Sequence, residues 1–260
     1  MKKLALASAL LSSLAFVGTA HAYQAEVNGG YDYQKFSEGE GHTNGFNVGG
    51  KYYFEQVEVR NYPLAEAAFL NRASNVNGGV TYSKNGDLKD TGVGVGVEYF
   101  VPNSDFYTSA NVRYDELRFN SDDKTKTYYY GAEVGYLPIS GLLIAAGVQG
   151  YDTRDGGGNG AHPTLRAKLV TDLDGHDINL EARGVFAGSD NQQYSAKADY
   201  YIDKTLSVGA DFERFKAQNV NQWGITANKF LTQDISVNAR AGFGTSGYKD
   251  TYSIGAAYRF

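Results

Sequence analysis

The chain ends on KDTYSIGAAYRF, Lys249 to Phe260. Counting back from the end, Phe260, Tyr258, Ala256, Ile254 and Tyr252 are apolar or aromatic, while Arg259, Ala257, Gly255, Ser253 and Thr251 are polar or small. This period of two places one set on each face of a single strand. An apolar stripe on an exposed terminal strand is an aggregation hazard in a soluble sheet. A strand that closes a lipid-facing barrel needs that stripe. The stretch therefore predicts an all-β protein, a transmembrane antiparallel up-and-down β-barrel.

The other end of the chain gives an address. MKKLALASALLSSLAFVGTAHA has a basic start at Lys2 and Lys3, an apolar run from Leu4 to Val17 and a small-x-small site at Ala20-His21-Ala22. Residues 1–22 read as a cleaved secretory signal peptide, with the mature protein over 23–260. No later apolar run approaches the roughly 20 residues that a spanning helix needs. Losing Lys2 and Lys3 from 24 basic residues, against 29 acidic ones, leaves the mature chain at a net charge of −7. That balance argues against nucleic acid as a partner. The absence of cysteine rules out disulfides and thiolate metal sites. Mean hydropathy is −0.42, yet the chain carries 21 Tyr and 14 Phe. A barrel that is apolar outside and wet inside, with aromatic girdles, explains both.

Alternation separated by turns predicts strands near 23–36, 43–55, 73–84, 91–100, 106–119, 126–137, 142–152, 161–171, 177–187, 192–202, 205–217, 220–230, 235–245 and 249–260. These are about fourteen strands, with twelve or sixteen left open by uncertain boundaries. An even number puts both termini on the periplasmic side of an outer-membrane barrel. Connections after even strands are tight, as at Pro138 to Gly141 and Asp203-Lys204; those after odd strands, Ser37 to His42 among them, are expected to face outward.

One connection departs from the pattern. Gln56 to Arg72, containing NYPLAEAAFLNR, is long for a tight side and is expected to be functional. Pro63 fits a first helical position, with Leu64 to Leu70 forming about two turns. The segment is read either as a flap on the barrel mouth or as a lumenal restriction or gate formed by Pro63, Leu64, Glu66, Phe69 and Leu70. Gly92, Gly94 and Gly96 share the lumenal face of one strand and are read as a wall that other backbone approaches closely.

The segment NYPLAEAAFLNRASNV, the mature start AYQAEV and the terminal AAYRF together resemble an outer-membrane porin family of Gram-negative bacteria. The resemblance covers essentially the whole mature chain, most specifically at PLAEAAFLN. It implies a fourteen-stranded outer-membrane barrel and passive diffusion of water and small solutes.

Catalytic chemistry finds little support, because His42 and His162 fall at outer strand ends and His176 in a tight turn, away from any nucleophile arrangement. The GVGVGV run at Gly92 to Val97 lacks the spacing of a dinucleotide site. No catalytic residue, metal site or cofactor is expected. Charges repeat on the inward face instead, where they avoid hydrocarbon: Arg113, Asp115, Glu133, Arg166, Lys168, Glu181, Arg183, Lys197, Asp199 and Arg240 are the expected pore-lining set. Arg166, Lys168, Arg183 and Lys197 suggest either a basic ladder that sets up a transverse field or one half of a mutually neutralised network. The expected partners are outer-membrane lipid, water and small solutes, and the barrel-assembly machinery acting through the strand that ends at Phe260. The functional expectation is a porin for water and small polar solutes, with segment 64–70 restricting it. The alternative is a closed barrel with a structural or surface-interaction role.

Overall fold

The structure, a computed structural model, describes residues 22–36, 41–119, 123–154, 157–188, 192–245 and 249–260. The expected leader up to His21 lies outside the described residues, as do 37–40, 120–122 and 155–156 of the predicted outer connections. Fourteen strands follow one another: β1 (Ala22–Lys35), β2 (His42–Glu58), β3 (Asn75–Asn85), β4 (Leu88–Phe100), β5 (Phe106–Phe119), β6 (Asp123–Ile139), β7 (Leu142–Arg154), β8 (Asn159–Leu173), β9 (His176–Val185), β10 (Gln193–Asp203), β11 (Leu206–Phe215), β12 (Val220–Phe230), β13 (Ile235–Gly244) and β14 (Asp250–Arg259). Each pairs with its neighbours in sequence, and β1 pairs with β14 to close the barrel. Of the strand numbers the sequence left open, fourteen is the one formed.

Closure follows from the terminal alternation. The seam runs from Glu26 opposite Arg259 to Lys35 opposite Asp250 without a break. In phase with Tyr252, Ile254 and Tyr258, residues such as Val93, Val95, Val112, Val134, Ile144 and Ile225 are exposed on the outer surface. Their alternates carry the polar side chains into the lumen, as binary patterning of a lipid-facing barrel requires. At the base of the seam the carbonyl of Phe260 accepts hydrogen bonds from the amides of both Gln24 (2.8 Å) and Ala25 (2.9 Å). The resulting bulge, with its register shift between Tyr23 and Ala25, turns Tyr23 inward.

At the end that holds both termini, hereafter the terminal mouth, the turns are tight. Asp174 and Gly175 both take positive φ (53° and 85°), as a two-residue hairpin of this twist demands. Gly141 has φ 78°, and a Cβ there would lie 2.2 Å from the carbonyl oxygen of Val170. Two predicted limits shift. β6 continues through Pro138 to Ile139, because the register slips between Tyr136 and Ile139 and a proline is tolerated at such a bulge. β2 runs on to Glu58, since Val57 is fully buried with Tyr23 and Tyr53 inside the mouth.

The lipid-facing assignment has a direct consequence. Val95→Arg, at the middle of the outward set of β4, is expected to destabilise the folded barrel by ~2–4 kcal/mol. Asn111→Lys on β5, whose side chain faces the lumen, is expected to stay within about 0.5 kcal/mol. Reversible urea unfolding in lipid vesicles measures both; equal costs would mean that the two faces have been assigned wrongly.

Candidate functional site

The connection between β2 and β3 does not hang below the barrel. It crosses the lumen. Leu64–Glu66 form one 3-10 turn and Ala67–Leu70 form a short helix, α1. Pro63 sits one residue before the first turn instead of inside it, with φ −54° and ψ 130°. Extended ψ at this proline aims the chain into the lumen before it coils. The amide of Leu64 then donates to the carbonyl of Lys204 (2.8 Å), in the turn between β10 and β11 on the far side of the barrel.

Charge and aromatic packing fasten the segment there. Glu66 is buried and accepts a hydrogen bond from the Tyr201 hydroxyl (2.9 Å). Its other oxygen lies 2.8 Å from Lys168 Nζ, which also contacts Glu181 (2.7 Å). A buried charge without a partner costs several kcal/mol, so the three groups hold one another in place. Arg259 donates from Nη1 to the Leu64 carbonyl (2.8 Å) and pairs through Nε with Glu26 (2.7 Å). Its guanidinium also lies between the rings of Tyr23 (4.6 Å) and Phe230 (4.5 Å).

The near side is apolar. Ala67 and Ala73 join Tyr23, Tyr53 and Val57 in one buried cluster, with Ala68 against it. Phe69 packs on a second cluster of Phe100, Tyr107, Leu137, Leu143 and Ala145, and lies beneath Lys168 Nζ (5.0 Å to the ring centroid). Leu70 reaches the turn at Gly141. The return leg is pinned where Arg72 Nη1 donates to the Ser104 carbonyl (2.9 Å) and pairs with Asp105 (3.0 Å). Leu64 and Pro63 are buried as well. The segment thus lies within the mouth and crosses the lumen, its apolar residues packed against the inner wall, and is not a flap laid on the mouth from outside.

Above it the wall is charged and largely compensated. Arg166 contacts Glu133 (3.1 Å) and donates to the Tyr107 hydroxyl (3.1 Å). Arg183, directly opposite Arg166, reaches the same Glu133 (3.8 Å) and Gln149 (3.0 Å). Lys197 pairs with Asp199 (2.9 Å), and Asn179 donates to both Asp199 (2.9 Å) and Glu181 (3.1 Å). Each of the four bases of the expected ladder therefore has an acid within reach. On geometry the interleaved network prevails, because acids from β6, β9, β10 and the crossing segment enter the same patch. Arg113 lies against Asp115 (2.6 Å) and Thr81 (2.7 Å), and Arg240 against Asp211 (2.9 Å).

The glycine wall has a different neighbour from the one expected. A Cβ at Gly92 would meet Arg113 Nη2 at 2.1 Å and Asp115 at 2.4 Å. One at Gly94 would meet Arg113 Cβ at 3.4 Å, and one at Gly96 would meet Asn77 at 3.0 Å. What these glycines accommodate is side chains of β5 and β3, not the crossing backbone. They let Arg113 lie flat along the wall, so the open volume stays in the centre. A cavity of about 1120 Å³ remains beside the crossing segment, lined by Lys51, Glu66, Arg166, Glu181, Lys197 and Arg240 among others.

Several of the residues that hold the segment escape a reading of inward charges. Tyr201 continues the inward phase of Lys197 and Asp199, and its signal was an aromatic where another charge would be expected. Leu143 and Ala145 fall in Leu142-Leu143-Ile144-Ala145-Ala146, an apolar run without alternation. In a barrel, that pattern marks lumenal surface covered by protein.

A family model described as "putative general bacterial porin" matches residues 1–157 and 155–260. The chain belongs to this family. The crystal structure of the Acinetobacter baumannii outer membrane protein Omp33 is similar, at 29% identity and a TM-score of 0.70 over 93% of this chain and 100% of that one. The CymD monoaromatic hydrocarbon channel, 9% identical with a TM-score of 0.58 over 92% of this chain and 89% of that one, shares the fold alone. A comparison with curated proteins gives no match. The porin is thus a channel protein of the bacterial outer membrane, with the family and fold of a channel and not of an enzyme.

If Glu66 anchors the crossing segment, Glu66→Gln and Tyr201→Phe should each loosen it without unfolding the barrel. The expected result is cleavage within 59–74 at least about tenfold faster in vesicle-embedded protein, since losing one partner of a buried charged group costs ~3–5 kcal/mol. Limited proteolysis followed by mass spectrometry measures this. Unchanged cleavage in both variants would show that the apolar packing alone fixes the segment.

Proposed function

We propose that this porin is a narrow passive pore for water and small polar solutes, with its terminal mouth facing the periplasm and restricted by segment 59–74. The observation that carries the reading is the reach of that segment to the far wall, where the Leu64 amide bonds the Lys204 carbonyl and Glu66 meets Tyr201 and Lys168. Fourteen strands lie between the filled barrels of about eight and the aqueous channels of 16–18. Side chains of the wall do not close such a lumen by themselves, and a segment across its mouth narrows it.

The compensated wall supports passage of small polar solutes over strong selection for one sign of ion. Arg183 and Lys197 remain about 40% exposed to the lumen (42% and 44%). They and the remaining pore-lining charges are available to exchange hydrogen bonds with a passing solute. In this reading, Pro63, Leu64, Glu66, Phe69 and Leu70 form the restriction. The protein reaches the outer membrane behind a cleaved leader, residues 1–22, and the assembly machinery receives it through the strand ending at Phe260.

Swelling of liposomes that carry the mature protein tests this directly. Swelling is expected with the smallest sugars and amino acids and is expected to fall off as solute size rises. Replacing Leu64 to Leu70 with a glycine-serine linker should admit disaccharides that the native protein excludes. A folded linker variant with the native size limit would remove the segment from the mechanism. An absence of swelling with every solute would point to a closed barrel.

A further inference from the structure

The outward face of the barrel, at the end away from the termini, carries a feature that conduction does not use. The register sets Lys84 of β3 opposite Lys89 of β4, Lys89 opposite Arg118 of β5, and Arg118 opposite Lys124 of β6. Lys126 of β6 lies opposite Arg154 of β7 beside this row. All six are in phase with the exposed outward residues Tyr82, Val93, Val112, Tyr128 and Val148.

Like charges directly opposite one another destabilise a sheet. Here three such pairs succeed one another, on a chain whose net charge is −5. Among the described residues, Lys84, Lys89, Lys124 and Lys126 make no ion pair. Of the acids on the same face, Glu116 pairs with Arg118, accepts from the Tyr114 hydroxyl (3.0 Å) and lies opposite Lys126, so it offsets Arg118 and leaves Lys84, Lys89 and Lys124 without a partner acid among the described residues. Asp152 is a single charge, opposite Tyr128. Neighbouring strands are ~4.8 Å apart, so four cationic side chains fall within ~15 Å along one line.

Depth identifies the ligand. Tyr82, Tyr114 and Tyr128 lie a few residues towards mid-strand from the row, and the rings of Tyr114 and Tyr128 pack with centroids 5.2 Å apart, tilted by 52°. Outward tyrosines of a barrel mark the boundary between hydrocarbon and headgroups. The basic row lies one step beyond that boundary, at headgroup depth, and exposed Val80, Val93, Val95, Val112 and Val134 form an apolar wall directly below it. A ligand that satisfies both surfaces is amphipathic: anionic oxygens above, acyl chains beneath. With this end facing outward, as in the orientation proposed above, the lipid there is the outer-leaflet glycolipid, whose sugar core carries phosphate. We propose that the row on β3–β6 is a binding site for a phosphorylated glycolipid of the outer leaflet, its phosphates on Lys84, Lys89 and Lys124 and its acyl chains on the valines.

The test uses the purified porin in detergent, titrated by native mass spectrometry with bis-phosphorylated hexa-acyl lipid A and with its dephosphorylated form. The phosphorylated lipid is expected to bind at least about tenfold more tightly, since each Lys or Arg near an anionic lipid surface contributes appreciably. Lys84→Gln/Lys89→Gln/Lys124→Gln should abolish that preference, while the triple Lys→Arg variant and a control, Lys35→Gln/Lys216→Gln, should keep it. Equal binding of the two lipids by the native protein, or an unchanged preference in the folded triple Gln variant, would overturn the proposal. Displacement by inorganic pyrophosphate as effective as by lipid A would also overturn it, by showing a site for soluble anions. If the triple Gln variant does not fold, the native preference for phosphate and the Arg variant decide the matter. Because the chain has no cysteine, labelling of Lys84→Cys in intact cells by an impermeant maleimide tests the orientation separately. Swelling activity is independent of both measurements.

Discussion

The structure depends on one constraint. Within hydrocarbon, a backbone amide or carbonyl without a partner costs several kcal/mol, so a sheet that crosses a membrane must close on itself. Here closure is made by the two ends of the chain. β14 pairs with β1, and the last residue supplies a carbonyl that accepts from two successive amides of β1. The bulge this creates is more than a terminus. It turns Tyr23 inward, where it meets Arg259, and Arg259 in turn holds the Leu64 carbonyl of the crossing segment. Seam and crossing segment share a residue.

A closed wall of fourteen strands then has to place its inward charges without filling the lumen. It does so by laying them flat. Arg113 lies across the space that Gly92 and Gly94 leave on β4, against an acid two residues along its own strand. Arg240 lies similarly against Asp211, over Gly224 on the intervening strand. The charges are satisfied by neighbours in the wall, and the centre stays open. Direct opposition of Arg166 and Arg183 is sustained because Glu133 reaches both.

The crossing segment is the place where the barrel departs from the rule of a polar interior. Two apolar clusters line the inside of the terminal mouth, and the segment covers both. On the opposite wall it relies on a buried carboxylate. Apolar packing is indifferent to small shifts, whereas the Glu66 contacts are directional, so the two sides divide the work: one gives adhesion and the other fixes position.

The strand count, the inward and outward faces and the existence of an unusual connection were legible in the residues, because a period of two is a local property and each strand repeats it. Phe260, Tyr258 and Ile254 announce a lipid-facing strand wherever that strand pairs. What the wall glycines accommodate was not legible in the same way, since Gly92 records only that a side chain is missing and not which neighbour occupies the space. The partner of each inward charge was equally hidden. The repeat along β8 shows that Arg166 and Lys168 face inward, but their acids come from β6, β9 and the segment before β3. The destination of Leu64 to Leu70 was decided only by the tertiary structure. Whether that segment stays at the near rim or crosses to Tyr201 and Lys204 depends on contacts between residues some 135 positions apart in sequence, and only the closed barrel brings them face to face.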